Sequence, residues 1–249
     1  MSSAEVVPAA VPLWRRLVAE VLGSGLLVAI VVGSGIAAQR LSPDDVGLQL
    51  LENSTATAFG LAVLIMMFGP VSGAHFNPVV SLADWFLGRR TGSGLRLAEV
   101  AAYVLAQVVG AIGGSLLGNA MFGVGIRMST KHRVSGGHLL GEFVATVGLL
   151  LVIFALVRTD RTALVAPAVG AYIGAAYWFT SSTSFANPAV TIGRAFSDTF
   201  AGIAPSSVAP FVLAQLLGAA FGIALIRLLY PTNRTPRTTP SSIDLEREP

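Results

Sequence analysis

Long apolar runs alternate along the chain with short polar or Pro/Gly-rich breaks. A hydrocarbon core of about 30 Å requires roughly 20 apolar residues in a helix that rises about 1.5 Å per residue. Six runs reach that length, whereas two shorter stretches, residues 75–87 and 185–196, each contain an Asn-Pro pair and reach only half as far. The pattern therefore predicts six membrane-spanning helices and two re-entrant half-helices. The predicted spans cover about residues 14–38, 48–69, 97–122, 139–158, 163–182 and 206–230.

The composition agrees with a polytopic membrane protein. Charged residues make up only 12% of the chain and hydrophobic residues 53%, whereas soluble domains carry about 25% charged residues. There is no cysteine, which excludes disulfides and thiolate metal sites, and the sixteen basic residues form no continuous stripe for nucleic acid. The polar ends, residues 1–12 and 231–249, are expected to be disordered and to flank one transmembrane domain over residues 13–230.

The distribution of basic residues predicts the orientation in the membrane. Six spans place both termini on one side, and the positive-inside rule assigns the more basic side to the cytoplasm. Cytoplasmic termini put eleven basic residues inside and five outside. The inner set is Arg15, Arg16, Arg89, Arg90, Arg96, Arg158, Arg161, Arg227, Arg234, Arg237 and Arg247, and the outer set is Arg40, Arg127, Lys131, Arg133 and Arg194.

The two halves of the chain share the same short sequence segments in the same order. The third span contains VLAQVVGA and the sixth VLAQLLGA, and an Asn-Pro pair precedes each of them. Repeat one covers about residues 14–122 and repeat two about 139–230. Because each repeat holds three spans, the second must insert upside down, which brings the two Asn-Pro motifs together near the midplane.

Asn-Pro is a suitable start for a helix in the middle of a membrane. Proline fits the first helical position and asparagine fits the cap before it. The first backbone N–H groups of such a helix are unpaired and carry a partial positive charge. Two such ends with asparagine amides facing a lumen would bind an oxygen and repel cations, which predicts a filter for neutral solutes. The predicted motif residues are Asn77, Pro78, Val79, Asn187, Pro188 and Ala189.

The segments SGAHFNPVV (72–80) and SFANPAV (184–190) resemble the aquaporin and aquaglyceroporin superfamily. The resemblance covers about residues 14–230 and implies an all-α fold of six transmembrane helices and two half-helices in an inverted repeat. It also implies a homotetramer in membrane lipid, with one pore per subunit that passively conducts water or small neutral solutes and needs no cofactor. Residues 177–200 are similar to bacterial members associated with arsenic resistance.

Four polar residues lie inside predicted spans at matched positions of the two repeats. Glu20 and Glu142 could carry protons in a transporter, but their duplication favours a structural role in which each accepts backbone N–H groups of a re-entrant loop. Gln107 and Gln215 are expected to bridge helices rather than to contact solute, because each lies beside a small-residue ladder, a row of small residues spaced four apart. The two ladders are Ala106, Gly110, Gly114 and Gly118, and Ala214, Gly218 and Gly222.

The resemblance implies a second filter outside the Asn-Pro level. Counting from the motifs places it at Thr57, Ala175, Ser184 and Val190, with Phe59 as the nearby alternative to Thr57. Val190 stands where the family usually has arginine, so this ring is expected to be small, uncharged and wide. Such a ring favours glycerol or neutral metalloid hydroxides such as arsenite, As(OH)₃, and water would also pass. A water-selective channel and a proton-coupled carrier are the alternatives, and no catalytic grouping suggests an enzyme.

Two further residues are placed near the predicted pore mouths. His75 precedes the first motif, and a histidine fixed by hydrogen bonds is favoured over a pH sensor. Arg194 lies four residues after Val190, so it could stand one helical turn beyond the lost filter arginine. The favoured interpretation is that Arg194 extends to the interface or pairs with Asp198. No spacing of histidines suggests a metal site.

Overall fold

The computed structural model describes residues 11–231, and residues 1–10 and 232–249 fall outside that range. The described chain contains six helices that are long and apolar enough to cross a membrane, which confirms the prediction of a multi-pass, all-α membrane protein. The residues predicted to be disordered, 1–12 and 231–249, lie outside the described range except for residues 11, 12 and 231. The long helices are α1 (Leu13–Leu41), α2 (Val46–Ser72), α4 (Leu97–Met121), α5 (Gly136–Arg158), α6 (Val165–Phe179) and α8 (Pro205–Leu229).

The helices pack in the same way in the two halves of the chain. Helix α1 packs along α4, and its counterpart α5 packs along α8, while α2 and α6 contact each other. The close approach depends on glycine: a Cβ atom at Gly114 would lie 2.0 Å from the carbonyl oxygen of Gly25, and one at Gly218 would lie 2.6 Å from that of Phe143. The small-residue ladders thus allow the backbones of neighbouring spans to touch.

Two short helices, α3 (Pro78–Gly88) and α7 (Pro188–Gly193), begin at the prolines of the two motifs. A 3₁₀ turn, Arg194–Phe196, continues α7. Both asparagines cap their helix, because each Oδ1 atom accepts the backbone N–H two residues further on, at 3.1 Å for Asn77 and 3.0 Å for Asn187. Helices α3 and α7 both contact α4 and α8, so both half-helices lie inside the bundle.

Helix boundaries differ from the prediction most clearly at the two re-entrant loops. The second span was predicted to end near residue 69, but α2 continues through Pro70 and ends at Ser72, where Gly73 adopts φ 85°. Proline removes one helical N–H but does not force a break when the surrounding helices hold the span in place. The fifth span is shorter than predicted, because α6 ends at Phe179 and a 3₁₀ turn, Thr162–Leu164, precedes it.

The bundle has two ends that are formed by different elements. The terminal face carries the start of α1 and the end of α8, and the loop face carries the 123–135 connection between the repeats. Side-chain contacts link neighbouring elements at each end: Arg158 donates to the carbonyl of Tyr230 at the terminal face, and Lys131 and Phe200 are in contact at the loop face.

Candidate functional site, a cavity at the half-helices

The two Asn-Pro motifs meet and hold each other through reciprocal hydrogen bonds. The Nδ2 atom of Asn77 donates to the carbonyl oxygen of Ala186 at 2.8 Å, and the Nδ2 atom of Asn187 donates to that of Phe76, also at 2.8 Å. Each amide nitrogen has two hydrogens, so one fixes the opposite loop and the second can face the lumen. Both asparagines are buried and line the same cavity.

The loops before the motifs have an unusual backbone that is repeated in both halves. Non-glycine residues with positive φ cost about 1–3 kcal/mol each and persist only where their surroundings fix them. The symmetry extends to the individual angles. The matched pairs are Ala74 (φ 49°) with Ser184 (φ 50°), and Phe76 (φ 49°) with Ala186 (φ 46°).

The two buried glutamates bind these loops. The carboxylate of Glu20 accepts the backbone N–H of His75 at 3.0 Å and of Phe76 at 2.7 Å. Glu142 accepts the equivalent N–H groups of Phe185 and Ala186, both at 2.9 Å. These bonds satisfy donors that would otherwise be unpaired at membrane depth, and neither carboxylate lines the cavity.

The two glutamines complete the same network. Gln107 donates to Glu20 at 2.7 Å and to the hydroxyl of Ser81 at 3.0 Å. Gln215 donates to Glu142 at 2.6 Å and to the hydroxyl of Thr191 at 2.9 Å. Each glutamine therefore connects a spanning helix, a carboxylate and a half-helix. Neither side chain reaches the cavity wall.

Replacing Glu142 with glutamine is expected to reduce solute flux by more than about fivefold and to lower the thermal stability of the detergent-solubilised protein. An amide at this position turns a hydrogen-bond donor toward the loop N–H groups, and an unsatisfied buried donor costs about 1–3 kcal/mol. Flux in proteoliposomes and the melting midpoint in detergent measure the two effects. The matched control is Asp44→Asn, an exposed carboxylate near the end of α1, and equal behaviour of the two variants would contradict the structural role of Glu142.

A cavity of about 670 Å³ lies along the two motifs. Its wall includes residues near the α5–α6 connection at the terminal face, such as Thr162, and extends past both asparagines to Arg194 at the loop face. Most of the wall is apolar, supplied by inward-facing residues of α1, α2, α5 and α6. A few polar groups, mainly the asparagines and the loop segments before them, lie along this apolar surface.

Three of the four positions proposed for the outer filter line the cavity. They are Thr57, Ser184 and Val190, each buried. The hydroxyl of Thr57 lies 3.2 Å from that of Tyr177, and the hydroxyl of Ser184 has no hydrogen-bond partner among residues 11–231. Phe59, the alternative to Thr57 at this position, is 71% exposed on the outside of the bundle.

The placement of Ala175 in the filter was wrong. Its side chain lies on the outer surface of α6 and does not contribute to the cavity. Ile173 and Tyr177 face inward instead, since they are four residues apart on one helix face and Ala175 lies midway between them. Sequence reasoning missed Tyr177, because α6 is apolar along its whole length and its sequence does not show which face is buried.

The interpretation favoured for Arg194 was also wrong. Its side chain is only 2% exposed and lines the cavity, so it does not extend to the interface. Asp198 accepts the backbone N–H and the hydroxyl of Thr130 at 2.8 and 3.1 Å and forms no pair with Arg194. The helical spacing fails here because residues 194–196 form a 3₁₀ turn and Ser197 is extended.

His75 lies on the cavity wall on the terminal side of Asn77. Its backbone N–H is bound by Glu20, and its Nδ1 atom lies 3.0 Å from the hydroxyl of Ser81. The Tyr103 ring packs against the imidazole with 5.4 Å between the centroids. Its ring is therefore held by neighbours at two points.

Two half-helices that meet at a cavity inside six spanning helices define a membrane channel of inverted-repeat architecture. Residues 8–184 match the family described as Major intrinsic protein. The chain belongs to this family, whose members are channels and not enzymes. It is 51% identical over 229 residues to the aquaglyceroporin AqpS of Rhizobium meliloti (strain 1021), covering 91% of this chain and 95% of that protein.

More distant relatives agree with this assignment. The chain is 30% identical over 237 residues to aquaporin NIP1-1 of Zea mays, covering 91% of this chain and 79% of the relative. Among solved structures, the aquaglyceroporin from Plasmodium falciparum superposes with a TM-score of 0.64 at 20% identity, covering 86% of this chain and 96% of that chain. That similarity concerns the fold alone.

Proposed function

We propose that the protein is a passive channel for small uncharged solutes, with a wide filter that passes glycerol-sized polyols and metalloid hydroxides such as arsenite, together with water. The observation that carries this proposal is Val190 on the cavity wall, at the position where the family resemblance implies arginine. A valine side chain leaves volume that a guanidinium would fill. The name of the Rhizobium meliloti relative, an aquaglyceroporin, supports glycerol as a solute.

The chemistry of the cavity wall suits polyols and metalloid hydroxides. Such solutes expose hydroxyl groups, which require hydrogen-bond partners, and fit into a path with long apolar stretches when those partners are spaced along it. The amides of Asn77 and Asn187 supply donors at the middle of the path. Cations are repelled by the same donors.

Two alternatives are less well supported. A water-selective channel needs a narrow ring with a charged donor. Thr57, Ser184 and Val190 are small and neutral, and Tyr177, which faces the cavity in place of Ala175, is larger but also uncharged. A proton-coupled carrier needs a carboxylate that is free to titrate in the path. Glu20 and Glu142 are engaged by backbone N–H groups away from the cavity wall, and Asp84, which lines the cavity, accepts the backbone N–H of Leu95 at 2.7 Å.

The assembly and orientation complete the proposal. The protein acts as a homotetramer in a bacterial plasma membrane, with one pore per subunit and both termini in the cytoplasm. The excess of basic residues on the terminal face supports this orientation. Large apolar side chains exposed along the outside of α1, α2, α4 and α8 supply the surface that lipid and neighbouring subunits would cover.

Flux through proteoliposomes that contain the full-length protein tests the function. Glycerol and arsenite are expected to enter at least about tenfold faster than into empty vesicles, and water is expected to pass as well. A counterflow assay should reveal no trans-stimulation, which separates a channel from a carrier. Passage of water without glycerol or arsenite would instead establish a water-selective channel.

A further inference from the structure

Three basic side chains, two from the 123–135 connection and one from the end of α7, converge on one short segment at the loop face. The carbonyl of Phe200 accepts from Lys131 Nζ and from a terminal nitrogen of Arg133, both at 3.0 Å. The Nε atom of Arg133 also donates to Gly202 at 2.7 Å, and the Nε atom of Arg194 donates to Ala201. Three cations are thus held by three consecutive backbone carbonyls.

These cations have no ionic partner among residues 11–231. The ion pairs formed in that part of the chain involve only Arg16 and Arg96 with Glu99. Burial lowers the pKa of the Lys131 ammonium to about 8, and the charges of Arg133 and Arg194 contribute to the shift. Like charges that are held together by neutral groups produce a net positive potential.

Arg194 directs this charge toward the conduction path. The guanidinium stacks on the ring of Phe185, with 3.4 Å from Cζ to the ring centroid, and Arg133 lies 5.2 Å from the same centroid. Arg194 and Phe185 both line the cavity beside Ser184 and Val190. Its terminal nitrogens make no hydrogen bond within the described range, so they are available to the lumen.

We propose that Arg194, supported by Arg133 and Lys131, is a second cation barrier of this channel in addition to the asparagine donors, displaced one turn along the chain from Val190. The inference rests on the proposed function as a neutral-solute channel. It deepens that function by assigning the width of the pore and the exclusion of cations to different residues. The ring at Thr57, Tyr177, Ser184 and Val190 sets the width, and the Arg194 guanidinium repels cations from the wall. The pore is therefore both wide and closed to cations.

Urea and the guanidinium ion provide the test, because they have nearly the same planar shape and differ in charge. Proteoliposomes of the wild-type protein are expected to pass urea and glycerol and to exclude guanidinium. Arg194→Gln is expected to raise the guanidinium-to-urea permeability ratio at least about tenfold, since a unit charge several ångströms from the path changes cation partitioning by that order. Arg194→Lys keeps the charge and should keep the ratio low.

The control variant is Arg127→Gln, which removes an exposed charge from the same loop face. It should leave the ratio within about twofold of the wild-type value. The proposal is overturned if Arg194→Gln conducts urea yet still excludes guanidinium, or if Arg127→Gln raises the ratio equally. Wild-type vesicles that pass neither glycerol nor urea would contradict the proposed function instead, so the two failures are distinguishable.

A second measurement leaves Arg194 in place and does not depend on the stability of its variants. The chain has no cysteine, so Val190→Cys creates a unique thiol on the cavity wall. Positively and negatively charged thiosulfonate reagents are added separately to intact cells. The rate at which each reagent modifies the cysteine is divided by its rate of reaction with a free thiol in solution. The anionic reagent is expected to react at least about tenfold faster than the cationic one. Equal normalised rates would overturn the proposal.

Discussion

Replacing Asn187 or Asn77 with aspartate is expected to reduce the flux of glycerol and arsenite by at least about tenfold. In either variant a carboxylate oxygen would replace the Nδ2 donor that lies 2.8 Å from the carbonyl of the opposite loop. Two acceptors would then face each other at the junction of the half-helices, where a buried group without its partner is costly. The negative charge would also remove the positive potential that favours an oxygen-bearing neutral solute.

The experiment compares flux per folded channel in proteoliposomes at equal protein content. Asn119→Asp is the matched control, because Asn119 also donates from Nδ2 to a backbone carbonyl, that of Phe196 at 3.0 Å, but does not line the cavity. This variant should lose stability and keep its flux per folded channel. Unchanged flux in both Asn77→Asp and Asn187→Asp would exclude the path along the two asparagines.

The arrangement of the fold could be predicted because each of its signals is local in the sequence. Apolar runs of sufficient length specify spans, and an odd number of spans in each repeat specifies inversion. The helix starts at Pro78 and Pro188 follow from residues that fit only the first turn of a helix. Matched sequence segments in the two halves also predicted equivalent surroundings for Glu20 and Glu142.

Positions that depend on where a helix ends could not be predicted in the same way. Ala175 was assigned to the filter by counting twelve residues back from Asn187, but the count says nothing about helical phase. The end of α6 at Phe179 and the left-handed residues that follow set that phase. As a result Tyr177, rather than Ala175, faces the cavity.

The surroundings of Arg194 were hidden for a related reason. A spacing of four residues suggested a pair with Asp198, but the pairing requires a regular helix between them. The 3₁₀ turn and the extended Ser197 direct the two side chains apart. The carbonyls that hold Arg194 and Arg133 belong to residues 201 and 202, and hydrogen bonds to backbone carbonyls leave no trace in side-chain patterns.

Putting arginine at position 190 is expected to restrict the channel by size more than by charge. Val190 lines the cavity and is 5% exposed, so a guanidinium there would project into the path beside the charge already supplied by Arg194. Val190→Arg should reduce glycerol and arsenite flux by at least about tenfold and water flux by less than about threefold, since a narrow polar ring still passes single water molecules. Stopped-flow swelling and arsenite uptake measure the three rates.

Val190→Leu separates the contributions of bulk and charge in this experiment. If width is set at position 190, leucine should also reduce glycerol flux, though by less than arginine, because it adds volume without a donor. If cation exclusion already resides in Arg194, neither variant should change the exclusion of guanidinium. A Val190→Arg channel that loses water, glycerol and arsenite in equal proportion, or that keeps the bulky solutes unimpaired, would show that the side chain of residue 190 does not limit the width of the pore.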